Sequence, residues 1–191
     1  QSTARDWLRA TYDNYLQLRD SYQRVQIVGL AMGGLLGLLT AARFKVEKLV
    51  LIAAALYVKN WLVPFTHILK YIKPAIPRDE DSIPASPEAE NEHEIFHNQE
   101  YYTHNYTAQV AELHKLMRLT RSRLTRVTSP TLILASKEDD TVPLKAAYRI
   151  KSKISADQIQ LHIFEESPHV INNGPEKEEC AARVIDFLDS A

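Results

Sequence analysis

Cysteine and glycine are both scarce in this chain of 191 residues, which has one cysteine, Cys180, and five glycines. A lone cysteine excludes an intramolecular disulfide and fits a reducing compartment; Cys180 falls inside a helical pattern, where a buried structural thiol is expected. An excess of charge of one sign is lacking too, with 23 basic against 24 acidic residues and a net charge of -1. That balance offers no basic stripe of the kind that nucleic acid or anionic lipid requires, which leaves a small molecule or a protein as partner. No apolar run approaches the ~18 residues needed to span a bilayer, and Gln1-Ser2-Thr3-Ala4-Arg5-Asp6 does not resemble a signal peptide, so a cytoplasmic location is expected. No internal repeat is visible. What the chain does have is 45% hydrophobic residues, enough for one sizeable core.

The apolar positions Trp7, Leu8, Tyr12, Tyr15 and Leu18 fall at helical spacing, and Thr3 with Asp6 offers a capping box. A strand over Val25-Gln26-Ile27-Val28 follows, then a tight turn at Gly29 and a small-residue helix over 35–42. Residues 46–55 are nearly continuously apolar, as suits a strand covered on both faces of a parallel sheet. From 57 to 127 the character changes: Pro74, Pro77, Pro84 and Pro87 punctuate an acidic stretch, and Val110, Leu113, Leu116, Met117 and Thr120 then mark one face of a helix. This part is expected to be an inserted helical lid, between core segments 1–56 and 128–191. The core pattern resumes with a strand over 131–135, a helix over 144–154 and a strand over 159–164. A terminal helix is expected to start at Pro175, with Glu176, Glu178 and Glu179 in its first turn and Ala181, Val184, Phe187 and Leu188 on its apolar face. Strands alternating with helices predict an α/β fold around a parallel sheet.

Four of the five glycines, Gly29, Gly33, Gly34 and Gly37, crowd one strand-to-helix junction. Val28-Gly29-Leu30-Ala31-Met32-Gly33-Gly34 has the Gly-x-?-x-Gly frame of a nucleophile elbow, in which the middle residue is held in a strained conformation. Gly29 and Gly33 are read as removing Cβ atoms that would collide as strand and helix fold back, while the helix N-terminus supplies positive potential for an oxyanion. A phosphate loop fits less well, since no Lys-Ser/Thr pair closes the turn and there is no Gly-x-Gly-x-x-Gly register. The elbow's chemistry needs a hydroxyl, and position 31 carries only a methyl group.

In α/β-hydrolases an acid and then a histidine follow the nucleophile in chain order. Ser136-Lys137-Glu138-Asp139-Asp140-Thr141-Val142-Pro143 comes directly after a buried strand, at the end where such sheets place active residues. Asp139 is the expected acid, the alternative being a helix-capping role that Asp140 or Thr141 could equally serve. Glu166-Ser167-Pro168-His169-Val170 follows the last strand, so His169 can reach back over the sheet edge, although a loop histidine is more often plain surface.

Asp6-Trp7-Leu8, Gly29-Leu30-Ala31-Met32-Gly33-Gly34, the Asp139 turn ending Val142-Pro143, and Ser167-Pro168-His169-Val170-Ile171 together resemble the bacterial carboxylesterases and monoacylglycerol lipases of the α/β-hydrolase superfamily. The resemblance covers nearly the whole chain and is weakest in the lid. It implies a serine esterase acting on short- to medium-chain acyl esters without a cofactor. A serine would attack the carbonyl, His169 would carry the proton, Asp139 would orient the imidazole, and the Met32 backbone N–H would be one of two oxyanion donors. The chain departs from that family in two ways: Ala31 stands in the nucleophile's place, and family members begin with several strands ahead of the opening helix. The sheet is therefore expected to be the C-terminal half to two-thirds of the family's, and the strand at 24–28 is expected to pair with an N-terminal segment or a second chain outside residues 1–191.

His93-Glu94-Ile95-Phe96-His97 matches the zincin pattern, but His104 lies seven residues past His97 with no glycine between, so the extended metal motif fails. Polar lid surface is the expected reading. Three functions from different classes stand: a serine ester hydrolase inactivated at Ala31, a natural pseudoenzyme that only binds, and a zinc hydrolase at His93 and His97.

Overall fold

A computed structural model describes residues 2–59, 75–77 and 104–190 of the chain. Two compact units make it up, 1–61 with 115–191, and 62–114. In the first, four parallel strands lie side by side: β1 (Ile27–Leu30), β2 (Leu49–Ile52), β5 (Thr131–Ser136) and β6 (Ile159–Phe164), in the order β1-β2-β5-β6. In the second, β3 (Ala75–Pro77) and β4 (His104–Tyr106) form a short antiparallel pair. Of segment 57–127, read as a lid, the structure describes 57–59, 75–77 and 104–127, including helix α3 (Thr107–Arg123) with Leu116, Met117 and Thr120 buried on the expected face; Pro74, Pro84, Pro87, His93 and His97 lie outside the described residues.

Helix α1 (Ala4–Ser21) starts where its capping chemistry dictates. The Thr3 hydroxyl accepts from the Asp6 amide, and the Asp6 carboxylate accepts from the Thr3 amide, so two otherwise unpartnered donors are satisfied together. Tyr15 is the buried anchor of this helix; its ring stacks on Phe44 and its hydroxyl donates to the Lys45 carbonyl at 2.7 Å. Leu18, expected on the same face, stands 47% exposed.

Helix α2 (Met32–Ala41) begins earlier than the apolar run suggested, and β1 lies two residues later than the β-branched run, so strand and helix meet at Ala31 with nothing in between. Its close approach to the sheet is set by Gly37, where a Cβ would press on Leu49 Cδ1 at 3.1 Å and Ile27 Cγ2 at 3.2 Å. All four residues of β2 are buried, as expected, but the strand stops at Ile52 because Ala53 turns to φ 45°. At one border of the described sheet lies β1, bonded only to β2, with Val28 49% exposed.

Alternate residues of the central strands serve opposite faces. Val50, Ile52, Leu132 and Leu134 join Phe164, Ile171, Cys180 and Phe187 in one buried cluster beneath the terminal helix α5 (Lys177–Asp189). Pro175 lies in the turn before this helix and not in its first turn, and Glu176 occupies the N-cap. Cys180 is buried, as anticipated for a structural thiol, whereas Ala181, expected on the apolar face, is exposed. The far end of α5 is held by Lys48, 7% exposed, whose ammonium donates to the carbonyls of Phe187, Leu188 and Ser190. A cation there satisfies C-terminal carbonyls that the helix leaves without partners and opposes the negative end of its dipole.

Candidate active site

Parallel pairing brings Leu30, Ile52 and Leu134 into register, so the segments leaving these strands gather at one edge of the sheet. That is the edge where open α/β sheets carry their ligands. Ala31 follows β1 with φ 48° and ψ -110°, a conformation that an alanine adopts only when its surroundings impose it. The restraints are on both sides of it. Its amide donates to the Ile52 carbonyl at 2.9 Å, and its carbonyl accepts from Gly34 at 3.2 Å and Ala55 at 3.1 Å.

Gly29 makes this turn feasible: a Cβ there would lie 2.5 to 2.7 Å from the backbone of Gly33 and Gly34. Gly33, read from the sequence as the second essential glycine, meets nothing within 4 Å among the described residues. The required glycine on the helix side is Gly34, whose Cβ would fall 2.8 Å from the Ala54 Cβ. One residue along a helix turns by about 100°, enough to carry the Cβ vector from open space into the neighbouring strand's exit loop.

Asp139 sits in the loop after β5 and is 2% exposed. Its Oδ1 accepts from the amides of Thr141 and Val142, both at 2.8 Å, and its Oδ2 lies 2.9 Å from His169 Nδ1. Burial pushes its pKa up, but the His169 hydrogen bond, the Val142 amide, the imidazole's charge and the Thr141 amide outweigh that and hold it below the usual carboxylate range. Asp140 is exposed, and its carboxylate accepts from the Thr141 hydroxyl. Neither Asp140 nor Thr141 caps the next helix, α4 (Lys145–Lys151), whose N-cap is Leu144 with no side-chain cap. The side chain of His169, 21% exposed, has Nδ1 committed to the buried carboxylate, which leaves Nε2 as the nitrogen available for proton exchange. Met32 opens α2 directly after Ala31.

Glu176 was legible in the sequence only as an acidic residue at a helix start. Its carboxylate instead reaches the loop before His169, accepting from the amides of Glu165, Glu166 and Ser167 and from the Ser167 hydroxyl. No spacing rule signals a contact of this kind. Among the described residues no cluster of His, Cys, Asp or Glu could hold a metal ion, and no helix is long and apolar enough to cross a membrane.

The Hydrolase_4 family model, described as serine aminopeptidase, S33, matches residues 6–176. The chain is 24% identical to a carboxylesterase of Bacillus subtilis (strain 168), over 96% of this chain and 72% of that protein. It is 27% identical to a thermostable monoacylglycerol lipase of Bacillus sp. (strain H-257), over 98% of this chain and 72% of the relative. Among solved structures, one of the metagenome-derived lipolytic enzymes LipS and LipT superposes with a TM-score of 0.82 at 24% identity, covering 98% of this chain and 74% of the other. The monoacylglycerol lipase of Paleococcus ferrophilus gives 0.72 at 17% identity, covering 96% and 74%. These two likenesses carry the fold, a parallel α/β-hydrolase sheet with flanking helices. With a family match running from α1 to the N-cap of α5, the chain belongs to the Hydrolase_4 family of serine hydrolases, within the α/β-hydrolase superfamily.

Proposed function

We propose that this chain is a carboxylic ester hydrolase by descent, of the carboxylesterase or monoacylglycerol lipase kind, whose elbow holds short- to medium-chain acyl esters but lacks the nucleophile to cleave them. The observation that carries this reading is the Asp139–His169 pair at 2.9 Å, at the same sheet edge as an elbow residue with φ 48°. The exits of β1 and β5 are two strand spacings apart, about 10 Å, a span that an imidazole reaching in from the loop after β6 can bridge. In this reading His169 is the base, Asp139 orients it, and the Met32 amide at the start of α2 receives the oxyanion. Alanine at position 31 removes the attacking oxygen and with it the acyl-enzyme step.

A second reading, a pseudoenzyme that uses the pocket for binding alone, is favoured by one feature: the strained turn persists although no hydroxyl uses it. Segment 57–127 is proposed to be the lid insertion of this family's fold. The unpaired side of β1 in the described sheet supports its pairing with polypeptide outside residues 1–191. Ala31→Ser, made in the complete open reading frame, tests the esterase reading. The variant is expected to hydrolyse short p-nitrophenyl esters on the order of a millionfold faster than the alanine protein and to lose that gain with His169→Ala. A serine variant that folds and shows neither burst nor turnover at any acyl length would falsify the esterase reading.

A further inference from the structure

Ser167, two residues before His169, is fully buried. Its amide and hydroxyl both donate to Glu176 Oε2, at 2.8 and 2.6 Å, and its carbonyl accepts from the Ser136 hydroxyl at the end of β5. The same carboxylate takes the amides of Glu165 and Glu166, each at 3.1 Å, so three successive N–H groups converge on one side chain. Ser136 Oγ in turn accepts from the Glu138 amide at 3.3 Å, which links this cluster to the loop that carries Asp139. Close approach is allowed by Gly174, where a Cβ would lie 3.0 Å from Pro168 Cδ and 3.3 Å from Ser167 Oγ.

Glu176 stands at the N-cap of α5, yet its side chain bonds to none of that helix's amides. An N-cap residue normally serves its own helix, and this one is directed entirely at the neighbouring loop. Hydrogen bonds to an ionised carboxylate are roughly twice as strong as neutral turn bonds, and four of them converging here fix the loop's backbone direction just before the imidazole. The Ser167 hydroxyl bond, against a smaller opposing effect of burial and together with the three amides, holds the Glu176 carboxyl below its ordinary range, so the acceptor is charged at neutral pH.

We propose that Glu176 is the positioning residue of the histidine loop: by gathering the amides of Glu165, Glu166 and Ser167 it keeps His169 Nδ1 on Asp139 and presents Nε2 toward the elbow. This rests on the reading of Asp139 and His169 as acid and base, and it assigns Glu176 no contact with substrate. A merely structural staple would lower stability without altering the imidazole of the molecules that remain folded.

The test uses Glu176→Ala and Glu176→Gln in the parent chain and in Ala31→Ser, with the exposed neighbour Glu178→Gln as control. Nitrogen-15 spectra of the histidines, assigned through His169→Gln, report the His169 tautomer. The parent is expected to show one tautomer, protonated at Nδ1. Folded Glu176→Ala is expected to show a mixture, and in the Ala31→Ser background to lose tenfold or more in kcat with KM within twofold. Glu176→Gln, whose amide oxygen still accepts from Glu166 and Ser167, should fall between. Glu178→Gln should match the parent. A tautomer shift in the parent chain supports the proposal even if Ala31→Ser proves inactive, in which case only the esterase reading fails. An active Ala31→Ser whose Glu176→Ala partner keeps one tautomer and full kcat overturns the proposal. Should Glu176→Ala not fold, the glutamine variant decides: an intermediate tautomer population supports it, and a parent-like one overturns it.

Discussion

The three glycines at the elbow should differ sharply in their tolerance of a methyl group. In Gly29→Ala the new Cβ would lie 2.5 Å from the Gly33 carbonyl oxygen, 2.6 Å from its carbon and 2.7 Å from the Gly34 nitrogen. These are backbone atoms of the first turn of α2, and that turn is pinned by the Gly34 and Ala55 amides on the Ala31 carbonyl, so no side chain can swing away. Overpacking of a core typically costs about 1–3 kcal/mol, and a clash against restrained backbone belongs at or above the top of that range. In Gly34→Ala the obstacle is the Ala54 methyl at 2.8 Å, with the Ala54 Cα at 3.2 Å; a small shift there, offset by a helix-propensity gain of up to ~1 kcal/mol, gives a net cost of about 1–2 kcal/mol. Gly33→Ala meets nothing within 4 Å among the described residues and should be neutral or stabilising by up to ~1 kcal/mol. Urea unfolding followed by circular dichroism, with thermal melts, measures all three. At about 2–4 °C per kcal/mol for a chain of this size, Gly29→Ala and Gly33→Ala, about 3–4 kcal/mol apart, should differ by roughly 6–16 °C in Tm. Equal destabilisation by the two, or a Gly29→Ala within about 0.5 kcal/mol of the parent, would refute the steric account of the elbow.

Two carboxyls with depressed pKa values, Asp139 and Glu176, should make the fold acid-sensitive. A folded-state pKa below the unfolded one contributes stability that is full above the unfolded value, near 4, and is lost as pH falls through the folded value; the urea midpoint should therefore drop below about pH 4, and Asp139→Asn with Glu176→Gln should flatten that drop, whereas an unchanged slope in the double variant would assign it to other groups. The edge strand β1 is expected to be paired in the native protein, so intact-mass measurement and sedimentation of the product of the complete gene should show either a longer chain or an oligomer; a 21.8 kDa species that stays monomeric, soluble and cooperatively folded would rule that pairing out.

The parallel α/β sheet, the capping box at Thr3 and Asp6, the buried β2 and the turn at Ala31 were written in local pattern, because hydrophobic period, caps and glycine crowding act over a few residues. What the sequence could not decide is which of several chemically similar neighbours faces inward. Asp139 and Asp140 are the same residue type side by side; only the loop's path after β5 buries the first on His169 and leaves the second with Thr141. Gly33 and Gly34 are likewise equivalent on paper, and the angle at which α2 leaves the strand makes the second the one that needs no Cβ. Ala181, expected on the apolar face of α5, faces solvent while its neighbour Cys180 is buried, since one residue along a helix turns by about 100° and only the packing of α5 fixes which of the two points inward. The contact least visible in advance is Glu176 on the amides of residues 165–167. It joins backbone groups to a side chain about ten positions away, and backbone amides carry no residue-specific signal, so only the folded loop could bring the two together.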